Sequence, residues 1–127
     1  MYTVYLADDE QLIREGLAET IPWESLRMRL VGTAEDGRHA LRGIREHKPD
    51  IVLTDIRMPY LDGLELIGKI REVHPSCRVV IISGHGEFTY AQSAIQLGVS
   101  DFILKPVDVT SLCRTLGKLT RELDSER

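Results

Sequence analysis

Five short apolar runs, each separated from the next by a stretch of helical periodicity, restrict this chain to very few folds. The runs are Tyr2 to Ala7, Arg29 to Ala34, Ile51-Val52-Leu53-Thr54, Val79-Val80-Ile81-Ile82 and Phe102-Ile103-Leu104. The last three are continuous and rich in β-branched residues, the pattern of strands buried on both faces. Between them, Leu12, Ile13 and Leu17 repeat at helix spacing, as do Ala40, Leu41 and Ile44. Leu64, Ile67 and Ile70 form a third stripe; Ala91, Ala94 and Ile95 form a fourth, stopped by Gly98 as a C′ residue. A last stripe, Leu112, Leu116, Leu119 and Leu123, suits either a coiled-coil seam or the core-facing side of a terminal helix. Strand and helix alternating in this way predict a parallel sheet with helices on both faces, and right-handed crossovers leave few topologies.

A chain of 127 residues is long enough for one domain with a core that needs no disulfide or metal staple. Sixteen Lys and Arg against twenty Asp and Glu give a net charge of -4, which argues against a nucleic-acid-binding module with a basic face. Cys77 and Cys113 lie far apart without a Cys/His cluster, so neither a disulfide framework nor a zinc site is indicated; they read as small thiols in a reducing compartment. No targeting leader and no window near the roughly 18 apolar residues of a membrane span is found, and the expected location is the cytoplasm. The long connection from Thr20 to Met28 carries the only tryptophan, Trp23, read as a packing anchor on the first helix.

In open parallel sheets ligands bind outside the carboxyl ends of the strands, so the residues that follow each run matter most. Asp8-Asp9-Glu10 follow the first, and Asp55, Arg57-Met58-Pro59 and Asp62-Gly63 follow the third. Ser83-Gly84-His85-Gly86 end the fourth and Lys105-Pro106 the fifth, whereas the second ends without such a residue, as suits an edge strand. Singly, each has an ordinary structural reading: acids before a helix cap it, and a serine before glycine or a lysine before proline makes a turn. Together they differ. Neighbouring strands lie about 4.8 Å apart, so acids at the ends of the first and third would crowd, and crowded carboxylates raise a pKa or recruit a cation. A hard divalent ion with oxygen ligands answers that need, and Mg²⁺ typically takes one or two carboxylates while keeping waters and room for a phosphate.

With Asp8-Asp9, Asp55, Met58-Pro59, Asp62-Gly63, Ser83 and Lys105-Pro106 in this order, the chain resembles the receiver domain of two-component response regulators over essentially its whole length. The runs Asp8 to Leu17, Thr54 to Pro59 and Ser83 to Phe88 resemble the subgroup whose receivers precede an AraC-type DNA-binding domain. The resemblance implies an α/β flavodoxin-like (βα)5 doubly wound fold with strand order 2-1-3-4-5. It implies one receiver domain over residues 1–127, with Leu112 to Arg127 as final helix leading to an absent C-terminal DNA-binding domain.

The resemblance also implies roles. Asp55 is the phosphoacceptor, taking its group from a phosphohistidine on a sensor histidine kinase in a Mg²⁺-dependent step. Asp9 and Asp55 ligate Mg²⁺ with the backbone carbonyl of Arg57, while Asp8 acts through a bound water. Lys105 and the Ser83 hydroxyl contact phosphoryl oxygens, and the Lys105-Pro106 bond is expected to be cis. Ser83 and Phe102 form the switch, Phe102 standing three residues before the lysine where a tyrosine would add a hydroxyl; plain strand core is its other reading. The fourth helix, fifth strand and fifth helix are expected to form a homodimer face on phosphorylation. Arg57 and His85 flank the site as rate-tuning positions, or else are solvated loop side chains; His39, His47 and His74 carry no assigned role.

Two other classes compete. A phosphohydrolase of the haloacid-dehalogenase type also uses an aspartate nucleophile, but in an Asp-x-Asp on the first strand, whereas Asp8 and Asp9 are adjacent. A receiver that has lost phosphorylation would lack an acid or the lysine, and none is missing. A flavin module is weaker still, because rim acids repel a flavin phosphate.

Overall fold

The computed structural model describes residues 1–84 and 88–126, with the backbone alone for 88–91. Its strands are β1 (Tyr2–Ala7), β2 (Met28–Ala34), β3 (Ile51–Asp55), β4 (Arg78–Ser83) and β5 (Asp101–Leu104). Its helices are α1 (Gln11–Thr20), α2 (Gly37–His47), α3 (Gly63–Val73), α4 (Phe88–Gln96) and α5 (Val109–Ser125). The sheet runs β2-β1-β3-β4-β5 with every neighbouring pair parallel, the order expected, and β2 lies at an edge.

Alternation along the central strands β1, β3 and β4 feeds two cores, which is why the runs at β3 and β4 are apolar. At the edges β2 exposes Arg29 and β5 exposes Leu104, so the fifth run is not buried on both faces as its composition suggests. Val4, Leu6, Ile51, Leu53, Val80 and Ile82 pack with Leu17 of α1 and with Leu112, Leu116 and Leu119 of α5. On the opposite face, Ala7, Val52, Val79 and Ile81 meet Ala40 and Ile44 of α2, Leu66, Ile67 and Ile70 of α3 and Ala94 of α4. The leucine stripe of α5 is therefore a core-facing stripe, with Leu123 half-buried against the same cluster. That helix starts at Val109 rather than Leu112, because the Thr110 backbone N–H donates to the Asp108 carboxylate (2.9 Å) and caps it there.

Among the described residues, two stripe residues lie outside the core. Leu12 is 86 % exposed and Ile95 is 60 % exposed. At 3.6 residues per turn Leu12 stands about 140° around α1 from Leu17, and Ile95 about 100° from Ala94, so the inward arc never reaches either.

Local chemistry fixes the remaining corners. The indole N–H of Trp23 donates to the carbonyl of Ala18 (3.0 Å), anchoring the long connection on α1 as expected. Gly98 follows α4 at φ 76°, a left-handed conformation that glycine adopts without steric cost. Arg71 of α3 donates to the carbonyls of Leu97, Gly98, Pro75 and Cys77, tying together the loops at the end of the sheet opposite the acids. Cys77 is buried, which pushes its thiol up to about 12, and Cys113 is half-buried; both are free. Among the described residues no helix is long and apolar enough to cross a membrane.

Candidate functional site

β1 and β3 are neighbours with Ala7 opposite Thr54, so the residues just beyond them emerge side by side. Carboxylate oxygens of Asp8, Asp9, Glu10 and Asp55 lie within 4.8 Å of one another. The crowding expected from strand spacing is thus present.

Asp8 is fully buried. One of its oxygens, Oδ1, accepts the backbone N–H of Glu10 (2.8 Å), and its main-chain carbonyl accepts from the Arg14 guanidinium (2.8 Å). The acids thus shape the approach to α1 through Asp8, two residues before the N-cap position. Glu10, which occupies that position, makes no side-chain cap bond, so the simple reading of these acids as a cap fails. Asp8 Oδ2 is buried with no hydrogen-bond partner. The Lys105 ammonium lies 3.5 Å from it, an electrostatic contact that completes no hydrogen bond. A buried oxygen left unsatisfied among other carboxylates costs free energy and suits a missing ligand of oxygen-seeking charge. An all-oxygen donor set of this kind fits Mg²⁺.

Asp55, the last residue of β3, is 4 % exposed. Its Oδ2 accepts from Lys105 Nζ (3.0 Å) and its Oδ1 from the backbone N–H of Arg57 (3.4 Å). Burial first, and then the charge of Asp8, raise its carboxyl to about 7, against the opposing pull of Lys105. Burial likewise raises Asp8. For Lys105 burial favours the neutral amine, but hydrogen bonds to Glu10 and Asp55 outweigh it and hold the ammonium above its usual range.

Lys105 comes from the end of β5, where its backbone N–H donates to the carbonyl of Ser83 (2.7 Å) and its bond to Pro106 is cis. Ser83 ends β4 and is buried beside it. Gly63 lets α3 close up behind β3: a Cβ there would stand 2.6 Å from the carbonyl oxygen of Asp55. Asp62 serves that helix and not the acidic cluster, forming a reciprocal capping box with Glu65. Asp9 and Arg57 are exposed at the rim, and Phe102 is half-buried against the face formed by α2, α3 and α4. His85 lies outside the described residues.

One contact escaped the sequence reading. The Glu10 carboxylate accepts from Lys105 Nζ at 2.7 Å, shorter than the lysine's contact with Asp55. Its place next to the acid pair is the available signal in the sequence, where a helix-start role accounts for it equally well.

A parallel sheet in this order, with acids at the ends of β1 and β3 and a lysine just past β5 converging on one rim, defines a receiver. The chain belongs to the response regulator receiver domain family, whose model matches residues 4–117. It is 44 % identical over 123 residues to the transcriptional regulatory protein YesN of Bacillus subtilis, covering 97 % of this chain and 33 % of that protein. Against the transcriptional regulatory protein HptR of Staphylococcus aureus the identity is also 44 %, covering 97 % of this chain and 48 % of the relative. The chain thus spans between a third and a half of these curated relatives. Among solved structures, the receiver domain of AraT, a response regulator from Geobacillus stearothermophilus, superposes with TM-score 0.94 at 42 % identity, covering 98 % of this chain and 97 % of that one. A two-component transcriptional regulator AraC from Clostridium phytofermentans gives 0.88 at 31 % identity over the whole of both chains. Receiver domains of this family are phosphorylated by sensor kinases and bind Mg²⁺ at the acidic pocket.

Proposed function

We propose that Asp55 is the phosphoacceptor of this receiver, charged by the phosphohistidine of a sensor histidine kinase and discharged by slow hydrolysis rather than by enzymatic turnover. The observation that carries the reading is Asp55 itself, buried at a strand end, crowded by Asp8 and hydrogen-bonded to Lys105 at 3.0 Å. An oxygen of Asp55 forms the new bond to phosphorus as the donor's P–N bond breaks, and the leaving imidazole nitrogen keeps that electron pair. Asp9, Asp55 and the Arg57 carbonyl, with Asp8 through a water, would hold Mg²⁺, which would supply charge neutralisation there. Lys105 balances charge on one phosphoryl oxygen, and the Ser83 hydroxyl donates to another. Arg57 at the rim is a rate-tuning residue together with His85.

For output, Ser83 moving toward the phosphoryl group lets Phe102 repack beside α4. The exposed Ile95 and Leu104 supply apolar surface to the homodimer face of α4, β5 and α5. The relatives' being transcriptional regulators two to three times as long supports a C-terminal DNA-binding domain following residues 1–127 in the native protein, in the cytoplasm usual for the family. Incubated with a small acyl-phosphate donor and Mg²⁺, the chain is expected to gain one phosphoryl group, and chelation to prevent it. Intact mass followed by peptide mapping checks this; an adduct on a fragment lacking Asp55 overturns the assignment.

Kinase docking is supported by the exposure of Leu12. It borders a groove of about 270 Å³ with Ile13, Gly16 and Leu17 of α1 and with Pro106 and Val107, next to Lys105. Leu12→Glu is expected to slow transfer from a phosphorylated kinase about ten-fold or more, leaving acceptance from the small donor unchanged. Equal rates from the kinase for both proteins would remove this face from the encounter.

A further inference from the structure

We propose that Glu10 is a positioning residue that holds Lys105 in the unphosphorylated chain, so that the lysine must leave it before it can serve a phosphoryl group. The inference rests on the phosphoacceptor reading of Asp55. Lys105 Nζ stands 2.7 Å from Glu10, 3.0 Å from Asp55 and 3.5 Å from Asp8. Its shortest contact is therefore to the one acid of the three that is not buried, Glu10 being 57 % exposed.

Glu10 is also unoccupied by the duty its position would give it. At the N-cap of α1 a side chain normally accepts a backbone N–H from the first turn, and glutamate is not among the residues preferred there. Here the cap bond is missing and the longer side chain reaches the lysine instead. An ammonium has three donors, and two are taken by Glu10 and Asp55. Once Asp55 carries a phosphoryl group, the same ammonium is drawn to oxygens beyond the carboxylate, and the tie to Glu10 opposes that movement. Before phosphorylation the tie acts the other way on the metal, because a lysine engaged by Glu10 neutralises less of Asp55 and Asp8.

Two substitutions separate this role from a plain charge effect. Glu10→Gln keeps the length and removes the charge. Glu10→Asp keeps the charge, but one methylene less takes it out of reach of Lys105, and aspartate is drawn to cap the helix. Both variants are expected to accept phosphate from a small acyl-phosphate donor about two- to five-fold faster at saturating Mg²⁺, the range of a partly exposed ion pair. Both are expected to bind Mg²⁺ about two- to five-fold more weakly by titration calorimetry without donor. Asp behaving as wild type while Gln accelerates would show that Glu10 acts only as a repelling charge. Slower acceptance together with weaker Mg²⁺ binding would make Glu10 a metal ligand, and unchanged rates in both variants would show no role; each overturns the proposal. Wild-type protein that gains no adduct on Asp55 fails the parent reading, and this inference falls with it. An adduct on wild type with unaltered variants fails this inference alone.

Discussion

Asp55→Asn is expected to accept no phosphoryl group, and Lys105→Met to accept one about 100-fold more slowly than wild type. An amide oxygen has no spare charge with which to bond phosphorus, so loss in the first variant is complete. In the second the nucleophile survives but the ammonium does not. Pre-aligned charge of this kind contributes roughly 10²–10³ in rate where it has been removed from other active sites. Methionine keeps much of the lysine stem's volume, so packing around the stem is largely kept and the loss reports charge. Time courses of intact mass at saturating Mg²⁺ measure both. An adduct that persists in the Asn variant would move the phosphate to another residue. A Met variant at the wild-type rate would remove Lys105 from the reaction and leave its contacts with Asp8, Asp55 and Glu10 purely structural.

The sheet was legible because its central strands β1, β3 and β4 are buried on both faces and its helices on one. Period and β-branching therefore carried the order of elements without ambiguity, down to Gly98 as a left-handed stop. The site was legible for a different reason. In a parallel sheet ligands bind where strands end, so position marks Asp8, Asp55, Ser83 and Lys105 out as a group, while the roles proposed for them come from the family resemblance. What periodicity does not carry is where a stripe leaves the core, as with Leu12 and Ile95, since spacing records a helical face and not where the sheet stops beneath it. Nor does it carry side-chain choices between equivalent partners. Glu10 had a local use as a helix cap and a distant one at Lys105, 95 residues along the chain, and only three dimensions decide between them. Asp62 resolved the opposite way, because aspartate with glutamate three residues on forms a reciprocal cap.

Without a divalent cation the chain is expected to lose stability as pH rises from about 4 to about 7, and Mg²⁺ is expected to restore it at the alkaline end. The folded Asp55 carboxyl titrates at about 7, raised chiefly by burial and then by Asp8. In the unfolded chain an aspartate titrates near 3.9. Between those values the folded state holds a proton that the unfolded state has released, so unfolding gains favour with each step upward in pH. The contribution is fully present below about pH 4, declines through the window and is gone above about pH 7. Solvent on the open side of the site screens part of it, leaving on the order of 2 kcal/mol. The raised carboxyl of Asp8 adds a loss of the same sign. Metal reverses the balance because it binds the ionised carboxylates of the folded state alone. At a hundred times its dissociation constant it stabilises by about 2.7 kcal/mol, whereas near pH 5 protons compete for the same oxygens. Urea unfolding followed by the fluorescence of Trp23, half-buried on α1, measures this at pH 5, 6, 7 and 8 with Mg²⁺ or chelator. The Asp55→Asn variant should lose most of the decline and most of the metal's effect together. A wild-type profile that Mg²⁺ raises equally at pH 5 and pH 8 would mean that these carboxylates are not where the metal binds.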